Sequence, residues 1–146
     1  MFGKLNSLVP QKRLFAVYYD NPEKVPSKQL RSIIGCDLQG TADERTEERL
    51  KQNGYNISKF PNCTKALVTE FPYRTTFSIW IAVKRVYPGL MKYIKDYKVK
   101  NAGPFLEICK DDAIQFVVIL DNNEGFYVPE ISKDSEVYKD DTKKIN

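Results

Sequence analysis

The alternation of apolar and polar positions along the chain predicts a series of short strands and two helical segments. Most of the strand-like runs are rich in β-branched and aromatic residues and are bounded by proline, glycine or asparagine. The first two flank a turn with Pro22 and Pro26, so we expect them to pair as antiparallel neighbours with a long connection. The strand-like runs are residues 14–19, 30–38, 55–61, 64–72, 105–109, 114–120 and 125–129.

The two helical segments differ in character. The first is short and polar: Thr41 and Glu44 have the spacing of a capping box, and Gly54 predicts its end. The second is longer and amphipathic, and Pro88 is expected to interrupt it. Its predicted apolar stripe consists of Phe77, Trp80, Ile81, Leu90, Met91, Ile94 and Tyr97.

Strands and helices are mixed along the chain, and the last strands follow one another directly. This arrangement indicates an α+β domain with a mainly antiparallel sheet. A length of 146 residues corresponds to one domain with one core. We expect residues 13–131 to form this domain, residues 1–12 to be an N-terminal flank, and the charged residues 132–146 to be a disordered tail.

Composition narrows the classes of function. Charged residues make up 29% of the chain, and no run approaches the roughly 20 apolar residues of a membrane span, so we expect no membrane segment. A net charge of +4 is too small to predict direct nucleic-acid binding. The N-terminus lacks a secretory signal pattern, and three scattered cysteines fit a reducing, cytoplasmic environment without a disulfide framework or zinc site.

The chain contains no histidine, which removes serine–histidine and cysteine–histidine nucleophile systems and the usual general base. Any catalysis would therefore have to use carboxylates, tyrosines, lysines or a thiol. We expect neither a bound metal nor a cofactor.

The most informative polar residue lies inside the run at 105–109. Alternation places Phe105, Glu107 and Cys109 on one face of a strand, so a carboxylate sits between two apolar side chains. Three interpretations are open: a solvated edge strand, an ion pair with Arg31 or a lysine, or an anionic anchor in an aromatic-lined groove. Because a buried charge requires a partner, a groove of the third kind would bind a cationic or aromatic small ligand.

Other residues bear on that choice. The candidate aromatic walls of a groove are Tyr18, Tyr19, Tyr73, Trp80 and Tyr127. Trp80 also fits a plain core position on an apolar helix face. Lys84, Arg85 and the lysines at 92, 95, 98 and 100 could form a basic helix face, for which a solvated surface is the simpler interpretation. A carboxylate beside Cys109 would make its thiol a poorer nucleophile.

Several stretches together resemble the gyrase-inhibitor-like (GyrI-like) small-molecule-binding domains. AVYYDNPEKVPSKQLRSIIGCDL has their Tyr-Asp-x-Pro turn followed by a Leu-Arg strand. FPYRTTFSIWIAVKRVYPGLMKYI resembles their long helix, FLEIC their aromatic-x-Glu strand, and FYVPE their closing strand. The residues that carry the resemblance are Tyr19, Asp20, Pro22, Leu30, Arg31, Trp80 and Glu107.

The resemblance implies a GyrI-like or SOUL-type fold of two βαββ repeats, related by a pseudo-twofold axis, with a groove between them. In ligand-binding members the glutamate that matches Glu107 lies in the groove and meets the ligand. Trp80, Tyr19 and Tyr127 would then be the aromatic walls. Family members have a further strand and the start of a helix ahead of the first strand, so we expect the first repeat to be truncated at its N-terminus.

The motifs AVYYDNP, FPY, SIW, RVYP, LEI and FYVPE narrow the resemblance to a branch that includes a receptor for selective autophagy of the endoplasmic reticulum (ER). That branch is also linked to repair of topoisomerase–DNA adducts with the p97 segregase. This implies protein partners of the autophagy or p97 type, at the cytosolic face of the ER membrane if a longer form carries an anchor. The receptor has an aromatic-x-x-aliphatic motif in its tail, and after Tyr138 the fourth position of that motif is not aliphatic. The resemblance therefore implies the domain but not the receptor activity.

We interpret the chain as a non-enzymatic ligand- or partner-binding domain with Glu107 as its anionic anchor. The alternative is a small-molecule hydrolase of electrophilic, cyclopropane-containing compounds, a use of the groove that the resemblance implies from some bacterial relatives. Glu107 would then orient or deprotonate water. A third interpretation is a scaffold that binds partners through its surface and does not use the groove.

Overall fold

A computed structural model of the protein describes residues 9, 13–38 and 43–131, with the side chains of residues 76, 79 and 80 excepted. The strands are β1 (Arg13–Tyr18), β2 (Ser32–Asp37), β3 (Ala66–Pro72), β4 (Phe105–Cys109) and β5 (Ala113–Ile119). The helices are α1 (Glu44–Gln52) and α2 (Thr76–Asp96). Short 3-10 helices lie at Ser27–Gln29, between β1 and β2, and at Asn123–Phe126, after β5.

The five strands form one antiparallel sheet in the order β2-β1-β4-β5-β3. β1 and β2 pair along their whole length, from Arg13 opposite Asp37 to Tyr18 opposite Ser32. β3, α2, β4 and β5 form a βαββ unit in which β3 pairs with β5 rather than with β4. The predicted α+β class, the antiparallel sheet and the pairing of the first two strands are therefore confirmed.

Helix α2 covers the β5 side of one face of the sheet, which we call the helix face. Ala82, Val86 and Leu90 recur at i, i+4 and i+8 and pack with Ile114 and Phe116 of β5. Ala82 is fully buried, and its small side chain allows the helix backbone to lie close to the sheet. This contact fixes which side of α2 points inward.

The opposite face of the sheet, which we call the loop face, carries a larger core. Val17 and Leu106 are direct cross-strand neighbours there, and both are buried. Loop residues cover them: the rings of Phe60 and Phe126 stack with their centroids 5.2 Å apart above this core. Successive residues of a strand point to opposite faces, so the register assigns Glu107 to the helix face.

Two of the predicted strands are wrong. Residues 55–61 have irregular backbone, and residues 125–129 begin with the end of the 3-10 helix rather than a strand. Their apolar side chains do reach the core, but Pro61 and Pro129 lack the backbone N–H that a ladder requires. The apolar pattern of these two runs therefore reflected burial of their side chains, and the predicted pairing of their backbones was wrong.

The start of α1 also differs from the prediction. Its N-cap is Asp43, whose carboxylate accepts a hydrogen bond from the backbone N–H of Thr46 at 2.9 Å. The helix therefore begins two residues later than a capping box from Thr41 requires. An aspartate at this position satisfies the free N–H groups of the first turn and suits the helix dipole. The predicted end at Gly54 agrees with a C-cap at Asn53 and a positive φ at Gly54.

Helix α2 differs from the prediction in two ways. It continues through Pro88, because the proline removes only one backbone donor and packing on both sides of it holds the helix. Two residues at the start of its predicted apolar stripe point outward: Phe77 is 79% exposed and Ile81 is 45% exposed. The stripe that meets the sheet lies on another side of the helix, as the burial of Ala82 demonstrates.

Three predictions concern residues that the structure does not describe. The side chain of Trp80 lies outside the described residues, although its backbone is part of α2. The predicted tail at 132–146 and all of the predicted flank at 1–12 except residue 9 also lie outside them.

Candidate functional site

Glu107 lies at the centre of β4 on the helix face. It is opposite Ala16 of β1 on one side and opposite Phe116 of β5 on the other. Helix α2 covers β5, whereas β1 and β2 belong to the other half of the sheet. Helix α1 packs on that other half, where Leu50 lies against Leu14 and Cys36. The carboxylate of Glu107 therefore lies between the part of the helix face that α2 covers and the part on which α1 packs.

Two tyrosine hydroxyls contact this carboxylate. Tyr87 of α2 donates a hydrogen bond from its hydroxyl to Oε1 of Glu107 at 2.5 Å. Tyr18, at the end of β1, donates to Oε2 over a longer distance of 3.4 Å. The ring of Tyr87 packs against Phe105 and meets Phe116 edge-on, with centroids 5.9 and 5.7 Å away. The carboxylate is therefore held by a donor that the core keeps in place.

The electrostatics of the site keep both tyrosines protonated. Burial, followed by the hydrogen bond and charge of Glu107, raises the pKa of Tyr87 far above its usual range. Burial and Glu107 raise the pKa of Tyr18 to about 12. Burial, with a smaller contribution from Glu107, also raises the pKa of the Cys109 thiol. At neutral pH the two phenols are therefore hydrogen-bond donors, and Cys109 is a poor nucleophile.

The predicted alternative of an ion pair between Glu107 and Arg31 or a lysine is not found among the described residues. Arg31 instead forms a two-pronged pair with Asp20, with nitrogen–oxygen distances of 2.7 and 2.9 Å. Within the part of the chain that the structure describes, the other ion pair joins Lys110 to Glu70, so neither involves Glu107. The negative charge of Glu107 is therefore met by hydroxyl dipoles.

The helix face beside Glu107 carries several exposed apolar side chains. Ile34 of β2, opposite Ala16, is 60% exposed, and Tyr18 is 36% exposed. On the other side Val83, 44% exposed, lies one helical turn before Tyr87 on α2. The resemblance to GyrI-like domains predicts a groove at this place, and we call the surface formed by Ile34, Ala16, Tyr18, Glu107, Val83 and Tyr87 the Glu107 groove.

Two other predicted wall residues, Tyr19 and Tyr127, do not line this surface, and the prediction is corrected for them. Tyr19 packs in the loop-face core, and its hydroxyl donates to the carbonyl of Phe126 at 3.0 Å. Tyr127 packs against Tyr19 with ring centroids 4.8 Å apart. Both line a separate open cavity of about 740 Å³ near the loops at 101–103 and 120–125. A single step along β1, from Tyr18 to Tyr19, moves a side chain across the sheet.

Sequence reasoning missed Tyr87, the residue with the shortest contact to Glu107. The available signal was a helical stripe at i, i+4, i+7 and i+11, formed by Val83, Tyr87, Leu90 and Ile94. That stripe competes with one that begins at Phe77, and the sequence holds no information on which of them meets the sheet. Tyr18, in contrast, was among the predicted wall residues and does contact Glu107.

Among the described residues, no group of three or more cysteine or acidic side chains is placed to hold a metal ion. In the same part of the chain, neither helix is long and apolar enough to cross a membrane.

We expect Tyr87→Phe to lower the free energy of unfolding by about 1–2 kcal/mol, because a charge-assisted hydrogen bond is lost in a half-buried place. Urea denaturation measures this loss. Tyr93→Phe is the matched control, since Tyr93 is exposed and stacks on Tyr97 with its ring. Equal effects of the two substitutions would show that the Tyr87 hydroxyl does not hold Glu107.

Comparison with known proteins identifies homologues. The chain is 38% identical over 136 residues to the testis-expressed protein 264 homolog of Mus musculus and 37% identical over 136 residues to testis-expressed protein 264 of Homo sapiens. Each alignment covers 91% of this chain but only 44% and 43% of the respective relative, so the chain spans less than half of their length. No family model and no solved structure matches the chain.

Proposed function

We propose that the chain is a GyrI-like domain that binds a cationic aromatic ligand, or a partner's cationic group, in the Glu107 groove without catalysing a reaction. One observation carries the proposal. The carboxylate of Glu107 is oriented by Tyr87 and Tyr18 beside exposed apolar side chains of the helix face, and no basic side chain in the described part of the chain forms an ion pair with it.

The chemistry of the groove favours a cation. Both tyrosines donate to Glu107 and keep their own charge at zero, so the negative charge of the site is preserved. The Tyr18 contact is long, which leaves Oε2 able to accept a stronger donor. Aromatic rings beside the carboxylate would add attraction for a cation through their faces.

Topology and homology support the family assignment. The unit from β3 to β5 has the βαββ order, and β1–β2 repeats the hairpin of β4–β5 on the other side of the β1–β4 junction. This is the relation expected of two repeats about a pseudo-twofold axis, with only the hairpin of the first repeat among the described strands. The homologues named testis-expressed protein 264 match across most of the chain.

By the same resemblance, we propose that the domain acts at the cytosolic side of the ER and that protein partners of the autophagy or p97 type dock on it. A direct test is co-precipitation of purified p97 with the chain. Retention of p97 that Glu107→Gln abolishes would assign the groove to that partner. Retention that the substitution leaves unchanged would place the contact elsewhere on the surface.

The ligand proposal is tested by thermal melting of the wild type and Glu107→Gln with benzyltrimethylammonium, tetraphenylphosphonium and the neutral comparator benzyl alcohol. A ligand that binds the folded state raises the melting temperature by mass action. We expect the two cations to stabilise the wild type, the neutral compound to have little effect, and Glu107→Gln to lose most of the stabilisation.

Glu48→Gln is the control, because it removes the same charge from the exposed side of α1. Absence of any shift in the wild type would contradict the groove as a cation site. Equal shifts in Glu107→Gln and wild type would mean that the cations bind elsewhere. Consumption of an electrophilic test compound that depends on Glu107 would instead establish the hydrolase alternative.

A further inference from the structure

The side of α2 that faces away from the sheet carries an unusual set of residues. Phe77 and Ile81 are exposed there, at the first two turns of the helix. Residues at i, i+4, i+7, i+8, i+15 and i+18 lie on one side of a helix. Counting from Phe77, that side carries Phe77, Ile81, Lys84, Arg85, Lys92 and Lys95, with Pro88 at i+11 between the two basic pairs, and we call it the outer face of α2.

The outer face is strongly positive. Its four basic residues follow the two apolar ones, and all of these side chains are exposed. The single acidic residue of α2 is Asp96, at its last position. The buried stripe of Ala82, Val86 and Leu90 lies on the opposite side of the helix, so the outer face points away from the core.

We propose that the outer face of α2 is a docking surface for an anionic lipid bilayer. Phe77 and Ile81 enter the boundary between headgroups and acyl chains, while the basic residues contact lipid phosphates and carboxylates. Tyr87 is not part of this surface, and the proposal does not depend on a ligand in the Glu107 groove.

Shape favours a bilayer over an acidic protein segment. From Phe77 to Lys95 the outer face extends about 27 Å along a straight helix, at 1.5 Å per residue. A planar anionic surface contacts this whole line at once, with its charge spread evenly along the basic residues. A folded acidic partner would have to offer a trough of that length with an apolar pocket at one end only.

The test is flotation of the full chain with vesicles of phosphatidylcholine alone or with about one-third phosphatidylserine. We expect binding to the anionic vesicles and a loss of about tenfold when the salt concentration is raised to ~0.5 M, because exposed charges are then screened. Lys92→Glu/Lys95→Glu should lose most of the binding. Phe77→Ser/Ile81→Ser should bind several-fold more weakly while keeping the salt dependence.

Lys24→Glu/Lys28→Glu is the matched control, since it reverses two exposed charges in the β1–β2 connection. Circular dichroism verifies that every variant is folded. Binding to neutral and anionic vesicles alike, or equal losses in the control and the Lys92/Lys95 variant, would overturn the proposal. So would a chain that ignores all vesicles but binds poly-glutamate through the same lysines, because the partner would then be an acidic protein segment.

Discussion

Replacement of Phe116 by alanine is expected to lower the free energy of unfolding by about 3–5 kcal/mol, the range for truncation of a buried aromatic ring. Phe116 is only 2% exposed and packs in the cluster with Ala82 and Ile114 that joins α2 to the sheet. Its ring also supports the ring of Tyr87, which it meets at 84°. The substitution should therefore loosen α2 and displace the donor that orients Glu107.

Chemical denaturation measures this effect, and Phe77→Ala is the matched control. Phe77→Ala removes the same aromatic ring, but Phe77 lies on α2 and is 79% exposed. We therefore expect the free energy of unfolding to fall by less than about 0.5 kcal/mol. Comparable losses for the two variants would contradict the assignment of the inward side of α2. Comparable losses would also contradict the placement of Phe77 on the exposed side of α2, on which the outer face depends.

Replacement of Asp20 by asparagine is expected to lower the free energy of unfolding at neutral pH by about 2–4 kcal/mol. The Asp20 carboxylate accepts hydrogen bonds from the backbone N–H of Arg31 at 2.7 Å and from two guanidinium nitrogens. Both side chains are largely removed from solvent. Loss of the carboxylate leaves the Arg31 charge without this partner at the point where the connection returns to β2.

The same pair predicts a pH dependence. The Arg31 hydrogen bonds lower the pKa of Asp20 below 3.8, its value in the unfolded chain. A group with a lowered folded-state pKa adds stability above its unfolded pKa and loses it as pH falls through the folded value. The stability difference between wild type and Asp20→Asn should therefore be constant from neutral pH down to about pH 5 and shrink below pH 4.

Denaturation curves at a series of pH values measure this difference, with Asp111→Asn as the control for an exposed carboxylate. A difference that persists unchanged into acid would mean that the charge of Asp20 contributes nothing to the pair. Asp121, whose pKa is lowered to about 2 by its bond to Thr64, titrates identically in both proteins and cancels in the comparison.

Much of the candidate site could be predicted from the local pattern of apolar and polar residues. Glu107 stood out because alternation within five residues places it between Phe105 and Cys109, and the structure confirms that strand. Tyr18 was predicted as a wall residue from its place in the first strand-like run. Tyr87 did not, because its role depends on the rotation of α2 about its own axis, and two apolar stripes of that helix have similar length.

The sequence by itself determined the local secondary structure of the protein. Five of the seven predicted strands, the pairing of β1 with β2, the two helices and the position of Glu107 arise from side-chain periodicity and turn residues within short windows. Tertiary structure alone decided which side of α2 is buried, that Tyr19 faces the loop core while Tyr18 meets Glu107, and that Arg31 belongs to Asp20. The physical reason is that these choices are settled by contacts between segments distant in the chain, where a rotation of α2 or one step along β1 exchanges core for surface.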